Sequence, residues 1–315
     1  PNLRNGAVPI PAGFPPMDIP ADNALTDARI DLGKRLFFDP VLSRDRTISC
    51  SSCHLQEKGF ADVGTLSTGI DDREGQRNAS ALINLGWNTR FFRDGGVPTL
   101  ELQVLAPISD HNEMDFTIAE VAARLKEDPT YVRDAQIAYG RAPDPFVITR
   151  AIAAYERSLV SGNSPYDRFT FQDQSDALSA SEIRGRDLFF ADRTRCATCH
   201  SGFNFTHNGF ENNGLYAQYA DSGRTRVTLD PADRGKFKVP TLRNVGVTGP
   251  YMHDGSLSSL EAVIAHYESG GMGHPNQSEN VQGFTLSAEE KEDLINFLHA
   301  LTDSDFLNDP QHQPE

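Results

Sequence analysis

The sequence of 315 residues predicts a mainly α-helical, loop-rich protein built from two related domains. The motif C-x-x-C-H occurs twice, at Cys50–His54 and at Cys196–His200. Short segments around the first motif recur in the same order around the second. Nineteen Pro and 25 Gly residues, with 38% hydrophobic residues, indicate many connecting loops and a modest apolar core.

The helices are predicted from apolar periodicity and from residues that cap helix ends. Asp39-Pro40 would end the first helix, and the Ser287–Glu290 capping box would start the last one. Residues 55–112 read mainly as loops and short helices, and 161–165 as a linker. The predicted helices cover Thr26–Phe38, Phe116–Leu125, Phe146–Leu159 and the stretch from Ser287 to Leu301.

The motif C-x-x-C-H is the attachment signature of a c-type haem. The thiols that would form thioethers with the porphyrin are Cys50, Cys53, Cys196 and Cys199, and His54 and His200 would bind the two irons. A zinc site or a pair of disulfides is the alternative. Zinc ligands usually come in two clustered pairs, whereas these pairs lie far apart and each precedes a histidine. Two covalently bound haem c groups are therefore predicted.

An internal repeat relates the two halves of the chain. Gly33–Phe38 recurs as Gly185–Phe190, and Arg77-Asn78 recurs as Arg243-Asn244. Asp94-Gly95, followed by Leu100-Glu101, recurs as Asp254-Gly255, followed at the same spacing by Leu260-Glu261. We therefore predict two cytochrome c-like helical domains with one haem each. The predicted boundaries are an N-terminal extension at 1–24, wrapping over the surface, and domains at 25–163 and 164–315.

Charge and hydropathy exclude several classes of function. The excess of 44 Asp and Glu over 29 Lys and Arg argues against nucleic-acid binding. It is compatible with docking of a basic protein, or with a plain solvated surface. No apolar run is long enough to span a membrane. The first residues, Pro1-Asn2-Leu3, are interpreted as a processed start, which predicts a periplasmic protein whose signal peptide has been removed. A monomer or a homodimer is expected.

These motifs resemble the bacterial di-haem cytochrome c peroxidase family, which includes the MauG enzymes. The resemblance extends from about Leu32 to Thr302 and rests on Leu36–Pro40, Arg77-Asn78, Asn112–Met114, Cys196–Gly202, Phe237–Asn244 and Pro250–Gly255. It implies that the N-terminal haem reacts with hydrogen peroxide and that the C-terminal haem transfers electrons. His54 would then be the proximal ligand of the peroxide-reacting iron, and His200 that of the electron-transfer iron.

The resemblance also assigns residues to the distal side of the first haem. Glu113 matches the family's catalytic glutamate, a group that can move a proton between the two peroxide oxygens. Gln103 matches its partnering glutamine. The alternative for Glu113 is an exposed loop carboxylate. Ile70 takes the place of a distal histidine found in many of these peroxidases, so the first haem is predicted to be open without reductive activation.

The sixth ligand of the second haem distinguishes subtypes of the family. Ordinary peroxidases have a methionine after the second Leu-Glu, and a methionine ligand raises the haem potential. Tyr267 occupies that position here, as in MauG. Met272, His266 and His274 are competing ligands, and Tyr267 could also be a core residue.

One departure from the family concerns the path between the haems. Arg93 stands where the family usually has a tryptophan before the first Asp-Gly. The chain's only tryptophan is Trp87. Arg93 could instead bind haem propionates.

The resemblance further implies one calcium ion, a cation that oxygen ligands bind. The family's ligands match the side chain of Asn78 and the backbone carbonyl groups of Thr248 and Pro250. An Asn78 that merely forms a turn is the alternative.

Three hypotheses of function follow. The first is a MauG-like peroxidase that uses hydrogen peroxide to oxidise a protein partner, an aromatic residue for example, through a high-valent two-haem state. The second is an ordinary cytochrome c peroxidase that reduces hydrogen peroxide to water with electrons from a small cytochrome c or cupredoxin. The third is a non-catalytic di-haem electron carrier, against which Glu113 and the open first site argue.

Overall fold

Helices carry most of the regular structure in the computed structural model, which describes residues 4–5 and 8–314. The α-helices of this described part are α1 Asp27–Phe38, α2 Leu100–Gln103, α3 Leu105–Ser109, α4 Ile118–Lys126, α5 Pro129–Tyr139, α6 Pro145–Ser158, α7 Pro165–Phe171, α8 Ala180–Phe189, α9 Cys196–Cys199, α10 Thr225–Thr228, α11 Leu260–Ser269, α12 Ala288–His299 and α13 Ser304–Asn308. Two antiparallel pairs of strands join β1 Arg4–Asn5 to β2 Val8–Pro9, and β3 Phe210–Glu211 to β4 Phe237–Lys238. The predicted mainly α, loop-rich fold class is confirmed.

The chain divides into two units. Unit 1 comprises the described part of Pro1–Asn88 together with Val97–Ser161 and Phe306–Glu315. Unit 2 comprises Thr89–Gly96 and Gly162–Asp305. The main boundary therefore lies two residues before the predicted one. The expected assignment of 89–96 to the first domain and of 306–315 to the second differs from this division.

Hydrogen bonds to backbone carbonyl groups explain why these two segments belong to the other unit. The Gln56 side chain donates to the carbonyl oxygens of Phe306 and Asp309, at 3.1 and 2.8 Å, within unit 1. In unit 2, the Lys238 backbone N–H donates to the carbonyl oxygen of Arg93 at 2.6 Å. In each bond the two segments contribute only a backbone acceptor, so no side-chain pattern within them predicts the contact.

The described part of the N-terminal segment contributes to the core of unit 1. Its apolar side chains Val8, Ile10, Phe14 and Met17 are all buried. A Cβ atom added to Gly86 would overlap the Met17 side chain, so this glycine makes room for the segment. Most of the other described residues up to 24 are exposed or half-buried, so the segment lies at the surface with its apolar side chains directed inward.

Unit 1 is organised around helix α1, which packs along α6. Thr26 precedes α1 in an extended conformation, and Asp39 ends it where Pro40 follows. The Asp144 side chain caps α6 by accepting a hydrogen bond from the Val147 backbone N–H. The apolar core of the unit contains Leu32, Leu36, Leu42, Val104, Ile108, Met114, Val121, Leu125, Tyr131, Val147, Ile148 and Ile152.

Unit 2 repeats this arrangement with α8 packed along α12. Both helices begin with a capping box, formed by Ser179 with Glu182 and by Ser287 with Glu290. The apolar core of this unit contains Phe189, Phe205, Val245, Leu260, Ile264, Leu286, Leu294, Phe297, Leu298 and Leu301. Each Leu-Glu of the sequence repeat begins a helix, which is α2 in unit 1 and α11 in unit 2.

The predicted linker at 161–165 is largely buried. Ser161 and Ser164 are both inaccessible to solvent. The Ser161 backbone N–H donates to the Asn84 side chain at 2.9 Å, and Ser164 caps α7. Across the described ranges, the helices are too short or too polar to cross a membrane.

Candidate functional site

Each C-x-x-C-H motif folds into a tight helical turn with the histidine at its end. Cys50–Ser52 forms one turn of 3-10 helix, and the His54 backbone N–H donates to the Cys50 carbonyl oxygen at 3.0 Å. The second motif forms α9, and His200 makes the equivalent bond to Cys196 at 2.9 Å. All four cysteines are free thiols, so the disulfide alternative is not realised.

Both histidines are oriented by a phenylalanine carbonyl group. His54 Nδ1 lies 2.7 Å from the carbonyl oxygen of Phe60, and His200 Nδ1 lies 3.0 Å from that of Phe205. Since a carbonyl only accepts, Nδ1 donates and Nε2 keeps its lone pair for a metal. Both phenylalanines adopt left-handed backbone conformations, with φ of 58° and 48°, which are uncommon for a bulky residue. Burial lowers the pKa of both histidines, that of His200 to about 4.

Glu113 lies beside the first motif. Its charge raises the pKa of both thiols, after the larger effect of burial, which brings the pKa of Cys53 to about 11. Glu113 is exposed by surface area, yet protein atoms surround it on most sides. This desolvation, with the charge of Asp110, raises the pKa of Glu113 to about 7. A carboxyl group with that pKa can both accept and donate a proton near neutral pH.

Gln103 lies at the C-terminal end of α2. Its Oε1 atom is buried and has no hydrogen-bond partner among the described residues. A buried acceptor of this kind costs free energy unless another group donates to it. Gln103 therefore has capacity to hold a donor that comes from outside the chain.

Ile70 packs directly against the Glu113 loop. It is fully buried, and its backbone N–H donates to the Glu113 carbonyl oxygen at 2.9 Å. A Cβ atom on Gly69 would overlap the Asn112 carbonyl oxygen, so only glycine allows this close approach. The residue that stands in the place of a distal histidine is thus beside the candidate acid–base group, and its side chain cannot bind iron.

Ion pairs hold the same two segments together. Arg73 binds Asp71 at 2.6 Å and Asp115 at 3.0 Å, and Arg44 pairs with the same two carboxylates. The Arg44 backbone N–H also donates to Met114 at 3.0 Å. Single exposed ion pairs contribute little to stability, but several charges in one network contribute more. Each arginine here bridges the same two carboxylates, which connects the Ile70 and Glu113 segments.

Tyr267 lies beside the second motif. Burial raises its pKa to about 12, and the neighbouring thiols Cys196 and Cys199 contribute in the same direction. A hydrogen bond from the Asn213 side chain opposes this shift. Tyr267 also lines a small cavity that opens to solvent. The other residues that line this cavity are Arg193, Thr194, Arg195, Asn280, Val281, Gln282, Gly283 and Phe284.

The three competing ligands lie in other surroundings. Met272 is 61% exposed. His266 Nε2 lies 3.0 Å from the Asn213 carbonyl oxygen. His274 Nδ1 accepts a hydrogen bond from the Asn276 backbone at 3.0 Å. Of the four candidates, Tyr267 is the one that lines the cavity beside the second motif.

Arg93 and Trp87 are placed in different units. Arg93 is half-buried in unit 2, with its backbone bonded to Lys238 as described above. Trp87 belongs to unit 1, where its indole N–H donates to the Pro15 carbonyl oxygen at 3.0 Å. The indole ring also contacts Phe14 edge-on, with 5.4 Å between ring centroids. Within unit 1, Trp87 thus anchors the N-terminal segment.

The residues that match calcium ligands are divided between the units. Asn78 is buried in unit 1, and its Nδ2 donates to the carbonyl oxygens of Gly64 and Thr65, both at 3.3 Å. This directs the amide oxygen away from those carbonyl groups. Thr248 and Pro250 are half-buried in unit 2, where a cis peptide bond precedes Pro250.

Sequence reasoning missed two residues. Glu156 on α6 is buried, its Oε2 has no hydrogen-bond partner among the described residues, and its charge raises the pKa of Cys50. Desolvation raises the pKa of Glu156 itself to about 8. The one sequence signal was that Glu156 is the only acidic residue of α6. Asn213, which lowers the pKa of Tyr267, carried no signal because it lies in a loop far from Tyr267 in sequence.

A model of the di-haem cytochrome c peroxidase family matches residues 27–175. The two cysteine–histidine sites and the relatives described next agree with this match. The chain therefore belongs to the di-haem cytochrome c peroxidase family. It is a peroxidase with two haem cofactors.

Two relatives and one solved structure illustrate this membership. The methylamine utilization protein MauG of Methylorubrum extorquens is 40% identical over 287 residues, which cover 90% of this chain and 80% of the relative. The cytochrome-c peroxidase IdrP1 of Denitromonas iodatirespirans is 33% identical over 326 residues, which cover 92% and 85%. The crystal structure of a MauG-like protein associated with microbial copper homeostasis superimposes with a TM-score of 0.90 at 34% identity, covering 96% of this chain and 97% of that one.

Proposed function

We propose that this protein is a MauG-like di-haem peroxidase of the periplasm, which uses hydrogen peroxide to oxidise an aromatic residue of a protein partner. The position of Tyr267 beside Cys196 and Cys199 carries this proposal. An anionic oxygen ligand stabilises oxidised iron, whereas a methionine ligand raises the potential and favours reduction. The high similarity to MauG and to a MauG-like structure supports the same conclusion.

The chain offers a complete set of groups for two covalent haems. The four free thiols would form the thioethers, His54 and His200 would bind the irons through Nε2, and Tyr267 would supply a further oxygen ligand to the second iron. Each haem supplies an iron that can take up and store oxidising equivalents. The buried Gln103 acceptor without a partner and the cavity beside Tyr267 fit such a group.

At the first site, Glu113 moves the proton. With a pKa of about 7 it is partly ionised at neutral pH. It accepts a proton from the peroxide oxygen that binds and donates it to the oxygen that leaves as water. Gln103 Oε1 accepts a hydrogen bond from the peroxide and orients it. The Ile70 side chain is apolar and cannot bind iron. Peroxide would therefore not have to displace a protein ligand at this position.

A calcium ion is part of this proposal. Its ligands would be the Asn78 side-chain oxygen and the carbonyl oxygens of Thr248 and Pro250. All three are neutral oxygen donors, the type that calcium accepts alongside carboxylates and water. The hydrogen bonds that Asn78 Nδ2 donates to the carbonyl oxygens of Gly64 and Thr65 orient its amide group.

The second candidate is an ordinary cytochrome c peroxidase that reduces hydrogen peroxide to water with electrons from a small cytochrome c or cupredoxin. The similarity to IdrP1 and to the cytochrome c peroxidase Ccp of Escherichia coli, 33% identical over 314 residues, favours it. The third hypothesis, a carrier without catalysis, is set aside because the chain belongs to a family of enzymes.

The ligand of the second haem separates the two candidates. We expect Tyr267→Phe to change the low-spin haem signal in resting electron paramagnetic resonance and optical spectra, because the phenol oxygen is lost. Met272→Leu is the matched control and should leave both spectra as they are. An unchanged signal in Tyr267→Phe with a changed one in Met272→Leu would favour the ordinary peroxidase.

A further inference from the structure

A series of contacts leads away from Tyr267 within unit 2. The His266 ring packs edge-on against the Tyr267 ring, with 5.2 Å between centroids, and His266 Nε2 lies 3.0 Å from the Asn213 carbonyl oxygen. The Asn213 Oδ1 atom accepts a hydrogen bond from the Tyr219 hydroxyl at 3.3 Å, and Asn212 Oδ1 accepts from that hydroxyl at 3.1 Å. Asn213 therefore links the surroundings of Tyr267, beside the second haem motif, to Tyr219.

A second tyrosine contact extends this series outward. Tyr219 is buried, 3% exposed, and its ring packs edge-on against that of Tyr216, with 5.6 Å between centroids. Tyr216 is half-buried and thus reaches solvent. His253 and Phe237, stacked at 4.0 Å between centroids, pack against Tyr219 and enclose it in aromatic surroundings.

The outermost tyrosine has a built-in proton acceptor. The Tyr216 hydroxyl donates to Asp254 Oδ2 at 2.6 Å. Burial and this hydrogen bond raise the pKa of Tyr216. Although burial opposes it, hydrogen bonds from Tyr216 and Ser256 lower the pKa of Asp254, so its carboxylate is ionised at neutral pH. A neutral phenol hydrogen-bonded to an ionised carboxylate can lose its electron and its proton together.

We infer that Tyr216 is a redox-active residue at which oxidising equivalents from the second haem site reach the protein surface and oxidise a phenol or indole side chain of a partner protein. The inference rests on the proposed function, since hydrogen peroxide is the oxidant. It adds a residue and a route that the assignment of haem ligands does not include.

The step balances in atoms and electrons. Hydrogen peroxide takes up two electrons and two protons and becomes two molecules of water. These electrons leave Tyr216 one at a time, in two successive rounds, and each passes by way of Tyr219 and Tyr267, while the two protons come from solvent, to which Asp254 releases the proton that it takes from Tyr216. The Tyr216 O–H bond breaks, its proton goes to the Asp254 carboxylate, and a neutral tyrosyl radical remains. An electron and a proton from the partner's aromatic side chain then restore the Tyr216 phenol.

The chain supplies a matched control for this geometry. In unit 1, the Tyr131 hydroxyl donates to Asp39 Oδ2, also at 2.6 Å. Tyr131 packs within the apolar core of its unit. If a hydrogen bond between a phenol and a carboxylate were enough to make a tyrosine redox-active, Tyr131 would be oxidised as readily as Tyr216.

The test adds hydrogen peroxide to the haem-loaded protein without reductant, in the presence of a nitroso spin trap, and locates the adduct by peptide mass spectrometry. We expect the adduct on Tyr216, its loss in Tyr216→Phe, and a reduced amount in Tyr219→Phe and in Asp254→Asn. Tyr131→Phe should give the wild-type pattern. Optical spectra recorded in the same experiment report whether peroxide oxidises the haems.

Two outcomes would overturn the inference in different ways. If peroxide changes the haem spectra but Tyr216 carries no adduct, or Tyr219→Phe leaves the adduct undiminished, the route is wrong while the proposed function stands. If the haem spectra do not respond to peroxide, the proposed function fails and the inference fails with it.

Discussion

Gly33 of α1 lies directly against the backbone carbonyl group of Ala151 on α6, and a Cβ atom at this glycine would overlap that carbonyl. Gly185 of α8 has the same relationship to Asp293 on α12. The two glycines open the recurring segments Gly33–Phe38 and Gly185–Phe190. The internal repeat in the sequence therefore corresponds to the same helix contact in both units, α1 with α6 and α8 with α12. In each contact a glycine allows the two backbones to approach closely.

Gly33→Ala is predicted to destabilise unit 1. The added methyl group forces α1 away from α6, and overpacking of this kind costs about 1–3 kcal/mol or more. The free energy of unfolding, measured by denaturant titration, should fall accordingly. Gly75→Ala is the control, because the nearest atom to its Cβ lies 3.6 Å away. Equal effects of both changes would contradict this account of the helix contact.

Glu113→Gln is predicted to slow the reaction with hydrogen peroxide by roughly 10²–10⁴-fold, the usual contribution of a positioned acid–base group. The amide has nearly the same shape as the carboxylate but cannot accept the proton. Stopped-flow spectra of the first haem after mixing with peroxide measure the rate. The exposed Glu127→Gln serves as control and should react like wild type. A wild-type rate in Glu113→Gln would remove this residue from the mechanism.

The pH dependence of that rate follows from the pKa of Glu113. Because the carboxylate must first accept a proton, the rate should rise as pH increases through about 7 and then level off. Asp110 contributes to the raised pKa, so Asp110→Asn should shift the midpoint of the profile to lower pH. A midpoint that stays in place in this variant would mean that another group controls the profile.

The raised pKa of Glu156 predicts that the folded protein loses stability as pH rises. Its pKa is raised from 4.5 to about 8 in the folded protein, chiefly by burial, with Glu101 adding to the shift and Arg157 opposing it. Between these values the folded state binds more protons than the unfolded state, so stability falls as pH increases. Glu156→Gln should remove this contribution. Its melting temperature relative to wild type should therefore rise from pH 5 to pH 8.

The control for Glu156 is the exposed Glu57→Gln, whose difference from wild type should not depend on pH in this range. A constant difference between Glu156→Gln and wild type across the range would show that the carboxyl group is already ionised when the protein is folded.

Local features were predictable from the sequence because their determinants lie within a few residues. The two cysteine motifs, the Asp39-Pro40 stop and the Ser287 capping box each act over one turn of helix, and all are found in the structure. The helix predicted at Thr26–Phe38 begins at Asp27 with Thr26 as its N-cap. The repeat extended this reasoning to two related helical domains, but not to the pairing of helices within them.

Long-range placement was not predictable in this way. Glu156 approaches Cys50 because α6 and the first motif both pack on α1, a relationship that no local pattern encodes. Tyr219 contacts Asn213, and Asn213 contacts His266 beside Tyr267, across about fifty residues of loop and helix. The units differ from the predicted domains at 89–96 and 306–315 for the same reason, since these segments contact residues that are distant in sequence.

The tail that completes unit 1 sets an order of assembly. Phe306 and His312 pack against Phe60, with ring centroids 5.9 and 6.2 Å apart, and Phe60 provides the carbonyl group that orients His54. The polypeptide is made from its N-terminus, so every residue of unit 2 is synthesised before this packing can form. His54 therefore gains its full surroundings only after the nascent chain has passed residue 312, although it belongs to the motif that is synthesised first.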